Sequence, residues 1–94
     1  MDKHLVSEFE LFASKNKGLP SKILTMISKT PHITLFDIRT RAKRSAKRVA
    51  AALDRLECFD FIYSINGTYY YITFKGRYYL KYLQESRNEK LWNN

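Results

Sequence analysis

The chain has 94 residues, 45% of them hydrophobic, which suits one folded domain and argues against a disordered chain. One cysteine, Cys58, excludes a disulfide-rich scaffold, and no apolar run reaches the roughly 18 residues of a membrane span. The formal net charge of +8 indicates an anionic partner, such as nucleic acid, a membrane surface or an acidic protein.

Two amphipathic helices are predicted at the start of the chain. Leu5, Phe9 and Phe12 repeat at helical spacing and predict a helix over residues 2–16. A second helix is predicted over residues 20–29, because a proline suits its first turn and isoleucine and leucine follow at helical spacing.

Two shorter helices are predicted next, on either side of a tight turn. "HIT", residues 32–34, is a short extended segment, and Thr34 with an acid three residues later marks the start of a helix over residues 35–42. Ser45 is a suitable N-cap for a helix over residues 46–57. The gap between these helices is too short for anything but a turn.

The aromatic and β-branched stretch that follows predicts a β-hairpin. Asn66-Gly67 lies between two such runs, and both residues of this turn type adopt positive φ. Strands are therefore predicted over residues 60–65 and 68–73, and a last helix over residues 74–90.

This order of elements is that of a helix-turn-helix followed by a hairpin wing. "TLFDIRTRAKRSAKRVAAALDRLECFDFIYS" resembles the winged-helix family, with Leu35 and Ile38 at its first apolar positions and Ser45 at the cap of its recognition helix. "YITFKG" is similar to the sequence that ends the wing in MarR-like and PadR-like regulators. The small size and flanking helices are also similar to short winged-helix proteins of archaeal viruses and plasmids.

The resemblance implies a single α+β domain over residues 1–94, with a three-helix core, a β-hairpin wing, and extra N- and C-terminal helices. It implies a sequence-specific, double-stranded DNA-binding transcription regulator. Winged helices also serve as protein-interaction modules or as nonspecific nucleic-acid binders, and this alternative stays open.

Residues 39–48, "RTRAKRSAKR", contain six of the 17 Lys and Arg residues and no acid, which leaves 11 cations to balance 9 acids elsewhere. A solvated helix face and a nuclear localisation signal are the alternative interpretations. The position in a helix-turn-helix favours contact with DNA, because the second helix of that motif enters the major groove.

Each part of the motif has predicted contacts. The candidates for base contact are Ser45, Ala46, Lys47, Arg48, Ala50 and Ala51. The candidates for phosphate contact are Arg39, Arg41, Lys43, Arg44 and Arg55. The wing candidates are Asn66, Gly67, Thr68 and Tyr69.

Two departures from the family pattern affect these predictions. Lys43 occupies the turn position that usually holds glycine, at a cost of about 1 kcal/mol for a left-handed conformation. Arg44 replaces an apolar residue and is expected to point outward. In addition, the wing tip has no Lys or Arg, so we expect it to contribute less than usual to phosphate binding.

The tyrosines of the hairpin have two interpretations, which concern Tyr63, Tyr69, Tyr70 and Tyr71. Alternation along the strand predicts Tyr70 and Ile72 on the core face, and Tyr69 and Tyr71 on the other face. Ordinary strand packing explains them, and a platform that stacks on single-stranded nucleic acid is the alternative, with a side role for Tyr69 near the wing tip.

The flanking helices 2–16 and 74–90 are predicted to form a homodimer, which would present two recognition helices to a pseudo-palindromic site. The predicted interface residues are Phe9, Phe12, Tyr78, Tyr79 and Tyr82.

Cys58 is either a small, partly buried hydrophobic residue or the site of an intermolecular disulfide.

The sequence offers no pattern for catalysis. His4, His32 and Cys58 do not have the spacing of metal ligands, and no catalytic triad or phosphate-binding glycine loop is found. We therefore expect no enzyme activity, metal, cofactor, small-molecule ligand or membrane partner.

The N-terminus lacks the features of a signal peptide, which predicts an intracellular protein, in the cytoplasm or nucleoid, or in the host cytoplasm if the source is viral.

Overall fold

Helices and short strands alternate along the chain. The computed structural model describes residues 3–16 and 18–92, and the side chains of residues 3–16 and 18–86. In chain order the elements are α1 (Lys3–Lys15), α2 (Leu19–Lys29), β1 (Ile33–Thr34), α3 (Leu35–Ala42), α4 (Ala46–Cys58), β2 (Ile62–Ile65), β3 (Tyr69–Ile72) and α5 (Phe74–Trp92). None of the helices in the described residues is long and apolar enough to cross a membrane.

The predicted order of elements is confirmed, with boundaries that move by one or two residues. Asp2, the first residue of the predicted first helix, lies outside the described residues. The hairpin strands are shorter than predicted because their outer ends have other roles. Asp60 adopts a φ of 61° in the turn after α4, and Thr73 caps α5 by accepting a hydrogen bond from the Gly76 N–H at 3.0 Å.

The three strands form one antiparallel sheet in the order β1-β3-β2. In the β1–β3 pair, Ile33 lies opposite Tyr70. The predicted turn between β2 and β3 is confirmed, since Asn66 and Gly67 have φ values of 55° and 65°. Both values fall in the left-handed region that a hairpin turn of this type requires.

One hydrophobic core connects the central helices to the two outer helices. The buried aliphatic side chains are Ile23, Leu24, Ile27, Ile33, Ile38, Val49, Leu53, Leu56 and Ile62. Beside them, the Phe61 ring stacks on Tyr79 with 4.7 Å between centroids, and Phe12 meets Phe61 edge-on at 4.8 Å. Since Phe12 lies on α1 and Tyr79 on α5, both outer helices are part of this core.

This aromatic packing corrects the predicted dimer interface. Phe9, Phe12 and Tyr79 have no exposed surface, so a second copy cannot reach their side chains. Phe9 packs edge-on against Tyr79 with 5.3 Å between centroids. These three aromatic residues find their partners within their own chain, whereas Tyr78 is exposed and Tyr82 is half-buried.

The "YITFKG" segment fixes the start of α5 against the rest of the chain. Lys75 forms an ion pair with Glu8 of α1, and its ammonium group lies 5.6 Å from the centre of the Phe61 ring. Gly76 packs directly on the backbone, since an added Cβ would lie 2.3 Å from the Phe61 carbonyl oxygen. The wing is therefore attached to the outer helices through contacts that this short sequence supplies.

Candidate nucleic-acid interface

The turn between α3 and α4 is held by backbone conformation and one side-chain cap. Lys43 adopts φ 53° and ψ 40°, the left-handed conformation that its place in the sequence predicts. Ser45 accepts a hydrogen bond from the Arg48 N–H at 3.3 Å and caps α4. The turn thus orients the start of α4 without a glycine.

The start of α3 carries a complete capping box. The Thr34 hydroxyl accepts from the Asp37 N–H at 3.1 Å, and the Asp37 carboxylate accepts from the Thr34 N–H at 3.3 Å. The negative charge of Asp37 therefore interacts favourably with the positive N-terminal end of the helix dipole. Its carboxylate does not form an ion pair with the cations that follow in the described residues.

All six cations of residues 39–48 have exposed side chains. Among the residues whose side chains the structure describes, the ion pair found joins Lys75 and Glu8, far from this stretch in the chain. No neighbouring carboxylate in that part of the chain forms an ion pair with the six cations. They form a concentrated positive surface, which attracts polyanions over a distance of about a Debye length.

Two arginines of this surface have additional hydrogen bonds. Arg41 donates from Nη1 to the Thr30 hydroxyl at 3.0 Å, which ties α3 to the end of α2. Arg44 points outward, as predicted, and donates weakly to the Lys43 carbonyl oxygen at 3.4 Å. Both remain exposed, so their other guanidinium N–H groups face solvent.

The predicted base-contact residues lie on the exposed side of α4 and at its N-terminus. Val49 and Leu53 are buried beneath them. The exposed residues are Ser45, Ala46, Lys47, Arg48, Ala50 and Ala51. The two small alanine side chains leave this face of the helix open to close approach.

The hairpin tip lies next to the start of α3. The Leu35 N–H donates to the Thr68 carbonyl oxygen at 3.0 Å, which fixes the tip relative to α3. The predicted wing residues Asn66, Gly67, Thr68 and Tyr69 are all exposed. Residues 61–74 contain no charged side chain, so this tip offers no cation to a phosphate.

Comparison with known proteins bears on the fold. No protein-family model and no curated protein matches the chain. Among solved structures, it is similar to the multiple antibiotic-resistance repressor (MarR) from Listeria monocytogenes 4b F2365, with a TM-score of 0.67 and 16% sequence identity. The match covers 94% of this chain and 68% of the other. The chain has a winged-helix fold. The predicted fold class is confirmed, and at this identity the likeness concerns the fold alone.

In this winged helix, α3 and α4 are the helix-turn-helix and β2 and β3 are the wing. The positive surface is confined to α3, the turn and the start of α4, because the second half of α4 carries Asp54 and Glu57. Burial raises the pKa of Tyr70, Glu57 and Asp54 raise it further, and Arg39 of the positive surface opposes the shift. The charge of α4 thus changes sign along the helix, and its N-terminal half is the end suited to an anionic partner.

Arg55 forms a contact within the chain that the sequence does not predict. Its Nη1 donates to the side-chain oxygen of Asn16 at 2.9 Å, and Asn16 is buried at the end of α1. The Asn16 amide in turn donates to the Phe12 carbonyl oxygen at 3.1 Å. Arg55 thus links α4 to α1, and because it remains exposed its predicted phosphate contact stays a prediction. Sequence alone has no signal for a contact between residues so far apart in the chain.

The strand tyrosines follow the predicted alternation. Tyr70 is buried, and Tyr69 is exposed on the opposite face. That opposite face also exposes Tyr63 of β2, one of the four tyrosines named from the sequence, and Ile65, which sequence reasoning did not single out. The signal for Ile65 was present in the sequence, because residue 65 lies three positions after the buried Ile62 in a strand whose side chains alternate between faces.

Other exposed groups lie away from the winged-helix surface. Leu11, Phe74 and Tyr78 are exposed apolar side chains of α1 and α5. Cys58 is exposed at the end of α4, so the interpretation of a partly buried hydrophobic residue is wrong. Its intermolecular disulfide stays a prediction.

One buried polar group has no hydrogen-bond partner among the described side chains. The Tyr79 hydroxyl lies inside the core beside a groove between α2 and α5. Burial raises the pKa of Tyr79, and the nearby Ser21 hydroxyl opposes this shift without reaching hydrogen-bonding geometry. The position is therefore one where stability depends on the hydroxyl remaining protonated.

Proposed function

We propose that the protein is a sequence-specific, double-stranded DNA-binding transcription regulator that acts as a homodimer inside the cell. The observation that carries this proposal is the positive surface of residues 39–48. Its six cations are exposed, form no ion pairs with described carboxylates, and flank the capped turn of a helix-turn-helix. A winged helix with this surface is suited to DNA.

The cations divide into two groups by their place in the motif. Those on α3 and in the turn would lie against the phosphate backbone, namely Arg39, Arg41, Lys43 and Arg44. Lys47 and Arg48 lie in the first turn of α4, where a recognition helix meets base edges in the major groove. The exposed Ala50 and Ala51 would allow the helix to approach the bases and contact thymine methyl groups.

The homodimer would use the exposed apolar side chains of the outer helices. Phe74 and Tyr78 lie four residues apart on α5 and so share one face of the helix, and Leu11 is exposed on α1. A two-fold interface buries the same patch on both copies. This patch replaces the core aromatic residues in the predicted interface.

Selection of bound sites from random duplex DNA tests the proposed function. The expected result is an enriched pseudo-palindromic sequence, with half-sites about 10 base pairs apart from centre to centre. Lys47→Ala is expected to change the preferred base at particular positions. Arg39→Ala is expected to weaken binding to all sequences about equally.

The same selection distinguishes the alternatives. A nonspecific nucleic-acid binder would retain DNA without enriching any sequence. A protein-interaction module would retain no DNA above background. Either result would overturn the proposed function, and Lys81→Ala, which changes an exposed cation on α5, controls for the loss of charge alone.

A further inference from the structure

The outer face of the sheet carries a neutral, largely aromatic surface with no partner in the described chain. Two rungs of paired residues build it. Tyr63 of β2 lies opposite Tyr71 of β3, and Ile65 lies opposite Tyr69. Tyr63, Ile65 and Tyr69 are 50%, 47% and 43% exposed, whereas the solvated face of an antiparallel sheet usually carries polar side chains. We call these four residues the wing platform.

The wing platform is held rigidly. The rings of Tyr63 and Tyr71 stack with 5.3 Å between centroids and an interplanar angle of 23°. On its other side, Tyr71 is bonded to His32, whose Nδ1 lies 2.9 Å from the tyrosine hydroxyl. The two rings meet at 88°. Tyr71 is thus fixed from both sides, and it supports Tyr63, which presents an aromatic ring to solvent.

Charge restricts what can occupy this platform. Residues 61–74 carry no charged side chain, whereas the whole chain has a net charge of +8. Arg41 donates a hydrogen bond to Thr30, which lies two residues before His32. This bond brings a cation toward the segment that leads into β1, at the edge of the sheet. A fitting occupant therefore presents flat, uncharged faces to the platform and negative charge to the surrounding protein. Unpaired nucleobases on a sugar–phosphate chain have both properties.

We propose that the wing platform binds single-stranded DNA, with one base stacked on Tyr63 and another on Tyr69. Bases within a duplex are already stacked on each other, so the platform suits unpaired ones. The choice of DNA rests on the proposed function, because the hairpin is bonded to α3 through Leu35 and Thr68 and adjoins the proposed duplex surface. Phe36, next to Leu35 at the start of α3, is also an exposed aromatic residue.

Fluorescence anisotropy with a labelled twelve-residue oligothymidylate tests this proposal. Tyr63→Ala and Tyr69→Ala are each expected to lower its affinity by about fivefold or more, because stacking on each base is lost. Tyr63→Phe keeps the ring and is expected to bind as the wild type does. Gln84→Ala removes an exposed, uncharged side chain from α5, outside both proposed surfaces, and is expected to leave the affinity unchanged.

A parallel titration with duplex DNA separates this proposal from the proposed function. Duplex binding without binding of the oligothymidylate would overturn the platform alone, and would point to an apolar protein partner for this face. Tyrosine-dependent binding of the oligothymidylate without duplex binding would overturn the proposed function alone and support the platform. Tighter binding of the matching oligouridylate would overturn the assignment to DNA, and equal affinities of Tyr63→Ala and wild type would overturn the stacking.

Discussion

Gly76 lies where the first turn of α5 packs against the backbone at Phe61. An added Cβ would be 2.3 Å from the Phe61 carbonyl oxygen and 2.8 Å from a side-chain carbon of Ile72. Because the nearer contact is backbone, the helix itself would have to move. We expect Gly76→Ala to lower the free energy of unfolding by about 1–3 kcal/mol, despite the better helix propensity of alanine.

Chemical denaturation measures this change, and Arg77→Ala is the control. Arg77 is the next residue of the same helix and is exposed, so its replacement should alter the free energy of unfolding by less than about 0.5 kcal/mol. Unchanged stability of Gly76→Ala would show that α5 does not pack as closely as described.

Tyr79 makes the free energy of unfolding depend on pH in the alkaline range. Burial raises the pKa of its hydroxyl above the usual value of 10.0, so the folded protein holds this proton more tightly than the unfolded chain does. Its contribution is fully present below about pH 10 and is lost as pH rises through the raised pKa. We expect Tyr79→Phe to lose less stability than the wild type between pH 8 and pH 11.

At pH 8 the same variant is expected to be more stable by about 1 kcal/mol, because the buried hydroxyl has no hydrogen-bond partner among the described residues. Denaturant titrations at both pH values measure the two effects. Tyr78→Phe, at an exposed position, should match the wild type at pH 8. A less stable Tyr79→Phe at pH 8 would mean that the hydroxyl has a partner.

At the scale of elements, the α3–α4 turn places the cation Lys43 at a position where glycine would be more stable. Lys43 is a left-handed residue with a Cβ, which costs about 1 kcal/mol relative to glycine. We expect Lys43→Gly to be more stable to denaturant than Lys43→Ala by about 0.5–1 kcal/mol, although both lose the cation. Equal stability of the two variants would contradict the left-handed assignment.

The elements themselves could be predicted because their signals are local. Thr34 and Ser45 mark helix starts through caps within one turn, and Asn66-Gly67 specifies a hairpin through its own backbone preference. The positive surface could be predicted equally well, since its residues lie in one short stretch of the chain. All of these features depend on neighbours in sequence.

Contacts between distant residues could not be predicted in the same way. A hydrophobic pattern shows that Phe9 and Tyr79 are buried but does not show whether their partners belong to the same chain. The hydrogen bond from Arg55 to Asn16 joins residues 39 positions apart, and no local sequence pattern predicts it. The exposure of Cys58 likewise depends on how α4 ends against the rest of the fold.

At the scale of the whole molecule, the chain measures 40 × 25 × 23 Å. Two recognition helices must lie about 34 Å apart to read successive turns of the same DNA face. Two copies of this size, joined through their outer helices, can supply that separation. The proposed dimer and the proposed DNA contact are therefore compatible in dimension.

The exposed patch on α5 gives a direct test of assembly. We expect Phe74→Glu and Tyr78→Glu to shift the protein from dimer to monomer, because each places a charge in a surface buried between copies. Equilibrium sedimentation at tens of micromolar measures the shift. Phe36→Glu is the control, since Phe36 is an exposed aromatic residue on α3, and it should leave the dimer intact. A wild-type protein that is monomeric throughout this range would contradict the dimer.

The central claim is that four cations of the positive surface, Arg39, Arg41, Lys43 and Arg44, contact DNA phosphates. The salt dependence of duplex affinity tests it most directly, because each phosphate contact releases counterions. If these four cations engage, the logarithm of affinity should fall with the logarithm of salt concentration with a slope of about −3.6 per protomer. Arg39→Ala and Lys43→Ala should each reduce the slope by about 1, and Lys81→Ala should leave it unchanged. A slope near zero, or an equal effect of Lys81→Ala, would contradict the account.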